Sequence, residues 1–191
     1  RQVFVDQYHG VTKLDRRFNT RFDMQVRQVC ESCNGGWMSD IEEAVRPILT
    51  PMFTGDKTSI TQIEQQTLAT WATKTAIMMS YTGGGPPVPL PMRRALMETH
   101  APPMNTVVWV ANYNKTALYG GAIKHIFLEE LRPGHNRPNG YLVVMAFGSI
   151  LFFVCGIFVI GPRRWRIEYP EGFQRFFTSF WPQLDRILSW P

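Results

Sequence analysis

From residue 141 to residue 161 the chain runs for 21 residues without a charged side chain, YLVVMAFGSILFFVCGIFVIG. Two environments accept so long an apolar run: the interior of a bilayer, which a helix of about 20 residues can cross, or the middle of a well-covered sheet. They differ in what they ask of glycine. A membrane helix favours an unbroken apolar run, although it tolerates glycine, whereas a buried β-hairpin uses Gly148-Ser149 as its turn and Gly156 as a bulge. The stretch therefore predicts a hairpin, with membrane association through 141–161 as the less favoured alternative. Cys155, inside the run, reads as an inert buried thiol.

Further segments around the hairpin carry the same signal. Residues 106–113, 122–130 and 165–169 are rich in β-branched and aromatic side chains and are punctuated by Asn-Lys, Gly-Gly, Arg-Pro-Gly and Gly-Pro turns. With the hairpin strands at 141–147 and 149–160 they predict an antiparallel sheet of about five strands. Helical periodicity precedes it. Thr61 and Glu64 stand in capping-box spacing, and Leu68, Trp71, Ala72, Thr75, Met78 and Met79 recur at three-and-four spacing up to the glycine run at 83–85. A Pro/Gly-rich linker follows over 83–90, and Pro91 suits the first turn of a short helix that ends at Glu98. At the C-terminal end Phe176, Phe177, Phe180, Trp181, Leu184, Ile187 and Leu188 have helical spacing interrupted by Pro182, and so aromatic a segment is expected to dock over the sheet. The fold class expected is α+β, in three regions: a thiol-knuckle region over 1–57, a helical region with its linker over 58–100, and the sheet with its aromatic tail over 101–191.

The chemistry concentrates in residues 26–52, VRQVCESCNGGWMSDIEEAVRPILTPM. Cys30 and Cys33, two residues apart, can aim both sulfurs at one centre and so supply half of a zinc site. Ser39 and Glu42 again show capping-box spacing. Ile41, Val45, Ile48 and Leu49 then form an apolar helical stripe that Pro47 is positioned to kink.

Charge adds only a little. Lys and Arg total 20 against 15 Asp and Glu, a net +5, and the sequence pI of 9.3 permits binding to a polyanion without requiring it. Lys13, Arg16, Arg17, Arg21 and Arg27 make a basic arm, read as two short strands and a connector; Arg forks could pair there with phosphate oxygens, or the arm is simply a solvated face. Lys74 borders the apolar stripe of its helix and reads either as a phosphate contact or as a snorkelling lysine. Three cysteines, two of them in a knuckle, suit a reducing, cytoplasmic compartment better than a disulfide framework, and no signal-peptide pattern is visible. Because the first residue is Arg, the chain is expected to begin inside a longer translation product.

The order C-x-x-C-N-G-G-W-M-S-D-I-E, followed by R-P-I-L-T-P-M and L-A-T-W-A-T-K-T, resembles a family of HNH-endonuclease-like proteins over roughly residues 26–80. The Phe180-Trp181-Pro182 and Ser189-Trp190-Pro191 ending is also similar to that family's C-terminus. The resemblance implies a nuclease that hydrolyses DNA phosphodiester bonds with Mg²⁺ or another divalent metal, stapled by a structural zinc. In that scheme Cys30 and Cys33 are the second zinc pair, Asn34 is the middle motif residue that positions the catalytic loop, and Glu42 is the candidate third residue facing the metal, with Asp40 as an outside candidate. Arg27 and Lys74 would contact nucleic acid. The family's Glu-His pair and first Cys-x-x-Cys belong upstream, so the chain is expected to be the C-terminal part of such an enzyme; His9 is a weak substitute for the base. The alternative is a catalytically inactive module that binds nucleic acid or a protein partner. A phage or mobile-element setting would suit the family, and homo-oligomerisation is left open.

Overall fold

As far as residue 157 the uncharged run folds as the hairpin. In the computed structural model residues 3–9, 12–19, 29–56, 58–81, 87–112, 118–126, 140–158, 171–182 and 187–190 are described, the segments 3–9, 12–19 and 118–126 as backbone alone. Strand β6 (Gly140–Gly148) pairs antiparallel with β7 (Ile150–Ile157), and Gly148 sits at φ 62 in the tight connection, as a primed hairpin turn requires. Gly156 is not a bulge. The register runs unbroken through Tyr141↔Gly156, and a Cβ on Gly156 would fall 2.5 Å from Tyr141 Cε1 and 2.7 Å from Met92 Cε. Glycine is there because a ring and a methyl already occupy the space. Among the described residues no helix is long and apolar enough to cross a membrane.

Around the hairpin the chain builds an α+β structure. The remaining strands are β1 (Val3–His9), β2 (Thr12–Asn19), β3 (Thr58–Ile60), β4 (Thr106–Asn112), β5 (Leu118–Ile126), β8 (Thr178–Trp181) and β9 (Leu188–Trp190). The helices are α1 (Glu31–Gly35), α2 (Trp37–Thr54), α3 (Gln62–Met79), α4 (Leu90–Thr99) and α5 (Phe173–Phe176). Seven strands form one sheet in the order β2-β1-β5-β6-β7-β4-β8, and β3 pairs with β9 in a separate ribbon. All neighbours in the large sheet are antiparallel except β1 and β5, which run parallel. The sheet thus contains four of the five expected strands and gains β1, β2 and β8; the expected strand at 165–169 lies outside the described residues.

The two faces of the sheet are covered differently. Tyr141, Val143, Met145, Phe147, Ile150, Phe152 and Val154 alternate onto the face that meets the helices, where they join one buried cluster that reaches from Val45 to Trp190. Helix α3 crosses that face. Its Ala69, Ala72 and Ala76 are fully buried, and Trp71 sits edge-on to Phe152 with ring centroids 5.5 Å apart. The capping box read from Thr61 and Glu64 is present, with the Thr61 N–H donating to Glu64 Oε2 at 2.7 Å and the Glu64 N–H donating to Thr61 Oγ1 at 3.3 Å.

On the far face Trp109, Cys155 and Ile157 form a smaller cluster that Phe173 and Phe177 cover, the latter two stacked at 4.3 Å. The aromatic tail therefore docks over the sheet as expected, but not as a helix. Among its described residues only α5 is helical; β8 and β9 then carry Phe180, Leu188 and Trp190 into the main core. Pro182 has no N–H for a helical ladder, and aromatic residues suit a pleated, half-buried surface.

Candidate metal centre at the thiol turn

The knuckle is a single helical turn. Cys30 is the N-cap of α1 in extended conformation (φ −69, ψ 155), and its sulfur accepts the Cys33 backbone N–H at 3.4 Å and lies 3.3 Å from Ser32 Oγ. The Asn34 N–H donates to the Cys30 carbonyl at 3.0 Å and closes the turn. Gly36 separates α1 from α2, where a Cβ would meet the Ser32 carbonyl oxygen at 2.6 Å, so the second glycine of the pair is sterically required; Gly35 has nothing within 4 Å.

This arrangement sets the two thiols apart chemically. Hydrogen bonds from Ser32 and from the Cys33 thiol and backbone stabilise the Cys30 thiolate and pull its pKa from the ordinary thiol value of 9.0 down to about 7. Cys33 is correspondingly raised, chiefly by its interaction with the Cys30 side chain. Two cysteines on one turn, the first fixed by an N–H···S bond, could supply one half of a tetrahedral thiolate site. Among the described residues no group of three or more His, Cys, Asp or Glu side chains could hold a metal ion.

Helix α2 starts at Trp37 with Gly36 as a cap that offers no side-chain hydrogen bond. Ser39 is therefore inside the helix, and the Ser39–Glu42 capping box read from the sequence does not form. Glu42 instead reaches across to α3 and receives a hydrogen bond from Lys74. The Lys74 side chain is only 5% exposed against 57% for Glu42. A buried ammonium needs such a counter-charge.

Lys74, Cys30, Cys33 and Trp37 all line one cavity of about 260 Å³ between α2, α3 and α4, closed on the α4 side by Arg93 and Met97. Arg93 is itself fixed: its Nε–H donates to the Val88 carbonyl at 2.8 Å, it bonds to the Tyr81 hydroxyl, and its guanidinium lies 5.5 Å over the Tyr81 ring. Trp37 stacks on His100 with centroids 5.2 Å apart and an interplanar angle of 14°. His100 holds the left-handed position that ends α4. The lining combines two thiols and two cations with apolar walls.

Of the residues singled out in the sequence, the cavity brings together Cys30, Cys33 and Lys74, with Glu42 just behind Lys74. Asn34 is exposed on α1, away from that lining. Asp40 is exposed in the first turn of α2, and Arg27 lies outside the described residues. His9 and His125 occupy paired register positions at the ends of β1 and β5. Trp37, Arg93 and His100 were not anticipated as parts of the site; the signal for Trp37 was its position inside the motif, while Arg93 and His100 carried none. No protein-family model, no curated protein and no solved structure matches the chain.

Proposed function

We propose that this chain is the C-terminal, zinc-stapled part of an HNH-type endonuclease that hydrolyses DNA phosphodiester bonds. The supporting observation is the thiol turn itself. Cys30 caps a helical turn and its sulfur accepts the Cys33 backbone N–H, within the C-x-x-C-N-G-G-W-M segment whose order resembles that family. Cys30 and Cys33 hold a structural zinc together with a second ligand pair, and so tie the turn to a part of the protein with little core of its own. When bound, a catalytic divalent ion such as Mg²⁺ supplies Lewis-acid polarisation of the scissile phosphate and neutralises charge on the leaving oxygen. In this reading Asn34, solvent-facing on α1, orients the catalytic loop through its amide. Glu42 contributes by anchoring Lys74, which secures α3 against α2 behind the thiol turn, and the net charge of +5 assists approach to DNA.

The test is plasmid nicking in Mg²⁺ or Mn²⁺ by the full-length protein, its Asn34→Ala variant and its Cys30→Ser variant, with zinc content measured alongside. Cleavage that Asn34→Ala abolishes, with zinc lost in Cys30→Ser, supports the proposal. Equal cleavage by wild type and Asn34→Ala, or none by either, overturns it. Salt-sensitive DNA binding without cleavage would assign the chain instead to a binding module.

A further inference from the structure

One buried donor at the thiol turn makes no hydrogen bond of ordinary geometry. The Trp37 Nε1–H is shielded from solvent and has no hydrogen-bond partner among the described residues, a rare condition for a buried polar group. The ring cannot easily turn to find one, because His100 stacks on one face and the remainder packs against the main core. Cys33, four residues earlier, lines the same cavity, and the indole N–H favours the Cys33 thiolate. A neutral thiol is a weak acceptor, whereas a thiolate attracts an N–H strongly. Metal ligation is what deprotonates a cysteine outright. Cys30 already has its donors, in Ser32 and in the backbone N–H of Cys33. Trp37 offers the matching donor for the second sulfur.

We propose that Trp37 is a positioning residue whose indole N–H bonds the metal-bound Cys33 thiolate and thereby sets the affinity of the thiol turn for a soft divalent ion such as Zn²⁺. The inference rests on the zinc-staple reading but not on nuclease activity. Outer hydrogen bonds to metal ligands commonly change affinity by about 10–100-fold.

The experiment replaces Trp37 in the full-length protein with benzothienylalanine, which keeps the shape of the ring and substitutes sulfur for the N–H. Zn²⁺ affinity is measured by competition with a chromogenic chelator, and Cd²⁺ binding by its thiolate charge-transfer absorption. Affinity about tenfold or more below wild type is expected, with no change when the same isostere replaces Trp109 on the far face of the sheet. Trp37→Phe, which also removes the N–H, should weaken binding at least as much. Zn²⁺ affinity of the Trp37 isostere within about twofold of wild type, with zinc still lost in Cys30→Ser and Cys33→Ser, overturns this inference alone. Zinc content unchanged in those cysteine variants overturns the zinc-staple reading and this inference with it.

Discussion

Glu42 of α2 and Lys74 of α3, 32 residues apart in the sequence, meet as an ion pair that is buried at one end and open to water at the other. The asymmetry decides what each substitution does. Glu42→Gln leaves an ammonium buried without its counter-charge. Breaking a fully buried pair costs about 3–5 kcal/mol, and because Glu42 is more than half exposed, solvent screening reduces the expected loss to about 1–2 kcal/mol. Lys74→Met removes the charge but keeps the packed stem, so stability is expected to change by less than about 1 kcal/mol. Urea unfolding midpoints at constant slope measure both; equal losses in the two variants would show that Lys74 does not depend on Glu42.

Gly156→Ala is expected to destabilise the protein by about 1–3 kcal/mol, the range for overpacking a filled core. The added methyl would press on the ring of Tyr141, itself fully buried, and on Met92. Gly35→Ala, where a Cβ meets nothing within 4 Å, serves as the comparison and should leave the melting temperature unchanged or slightly raised.

Thr61→Ala removes one half of the capping box of α3 and should cost about 1 kcal/mol. The box also makes stability pH-dependent. Hydrogen bonds from the Thr61 backbone and side chain hold the Glu64 carboxyl below its ordinary value of 4.5. A lowered folded-state pKa means the contribution is present above the unfolded value and is lost as pH falls through the folded one. Acid unfolding monitored by circular dichroism should therefore show a smaller loss of stability below pH 4.5 in Thr61→Ala than in wild type.

In the reduced, metal-free protein Cys30 should react with iodoacetamide first. Its thiolate is half formed at pH about 7 and disappears as pH falls below that, whereas Cys33 requires a higher pH and Cys155, buried and pushed up to about 12, stays unlabelled in the native state. Ser32→Ala removes the largest contribution to the lowered value and should move the midpoint of the Cys30 labelling profile upward. The sign for stability follows: the Cys30 contribution is complete above the ordinary thiol value of 9.0 and is lost as pH drops through about 7. Added Zn²⁺ should protect both Cys30 and Cys33, read by peptide mass spectrometry after quenching.

What was legible in the order of amino acids was local. A turn glycine between two apolar strands, a threonine three residues before a glutamate, and two cysteines able to close on one helical turn each specify backbone within a few residues. The hairpin and the start of α3 formed as read. Ser39 and Glu42 show the limit of such reading. Their spacing equals that of Thr61 and Glu64, yet Gly36 had already broken the chain and started α2 at Trp37, which left Glu42 free to reach Lys74.

The sequence by itself determined the α+β class, the buried hairpin and the capped start of α3, because periodicity, caps and turn residues act over distances that a few residues encode. Only the tertiary structure decided that β1 lies parallel to β5, that Gly156 makes room for Tyr141, and that Trp37, Lys74 and Arg93 share a cavity with the two cysteines. Those relationships depend on which surfaces fit together across many intervening residues, and close packing settles that among all the elements at once.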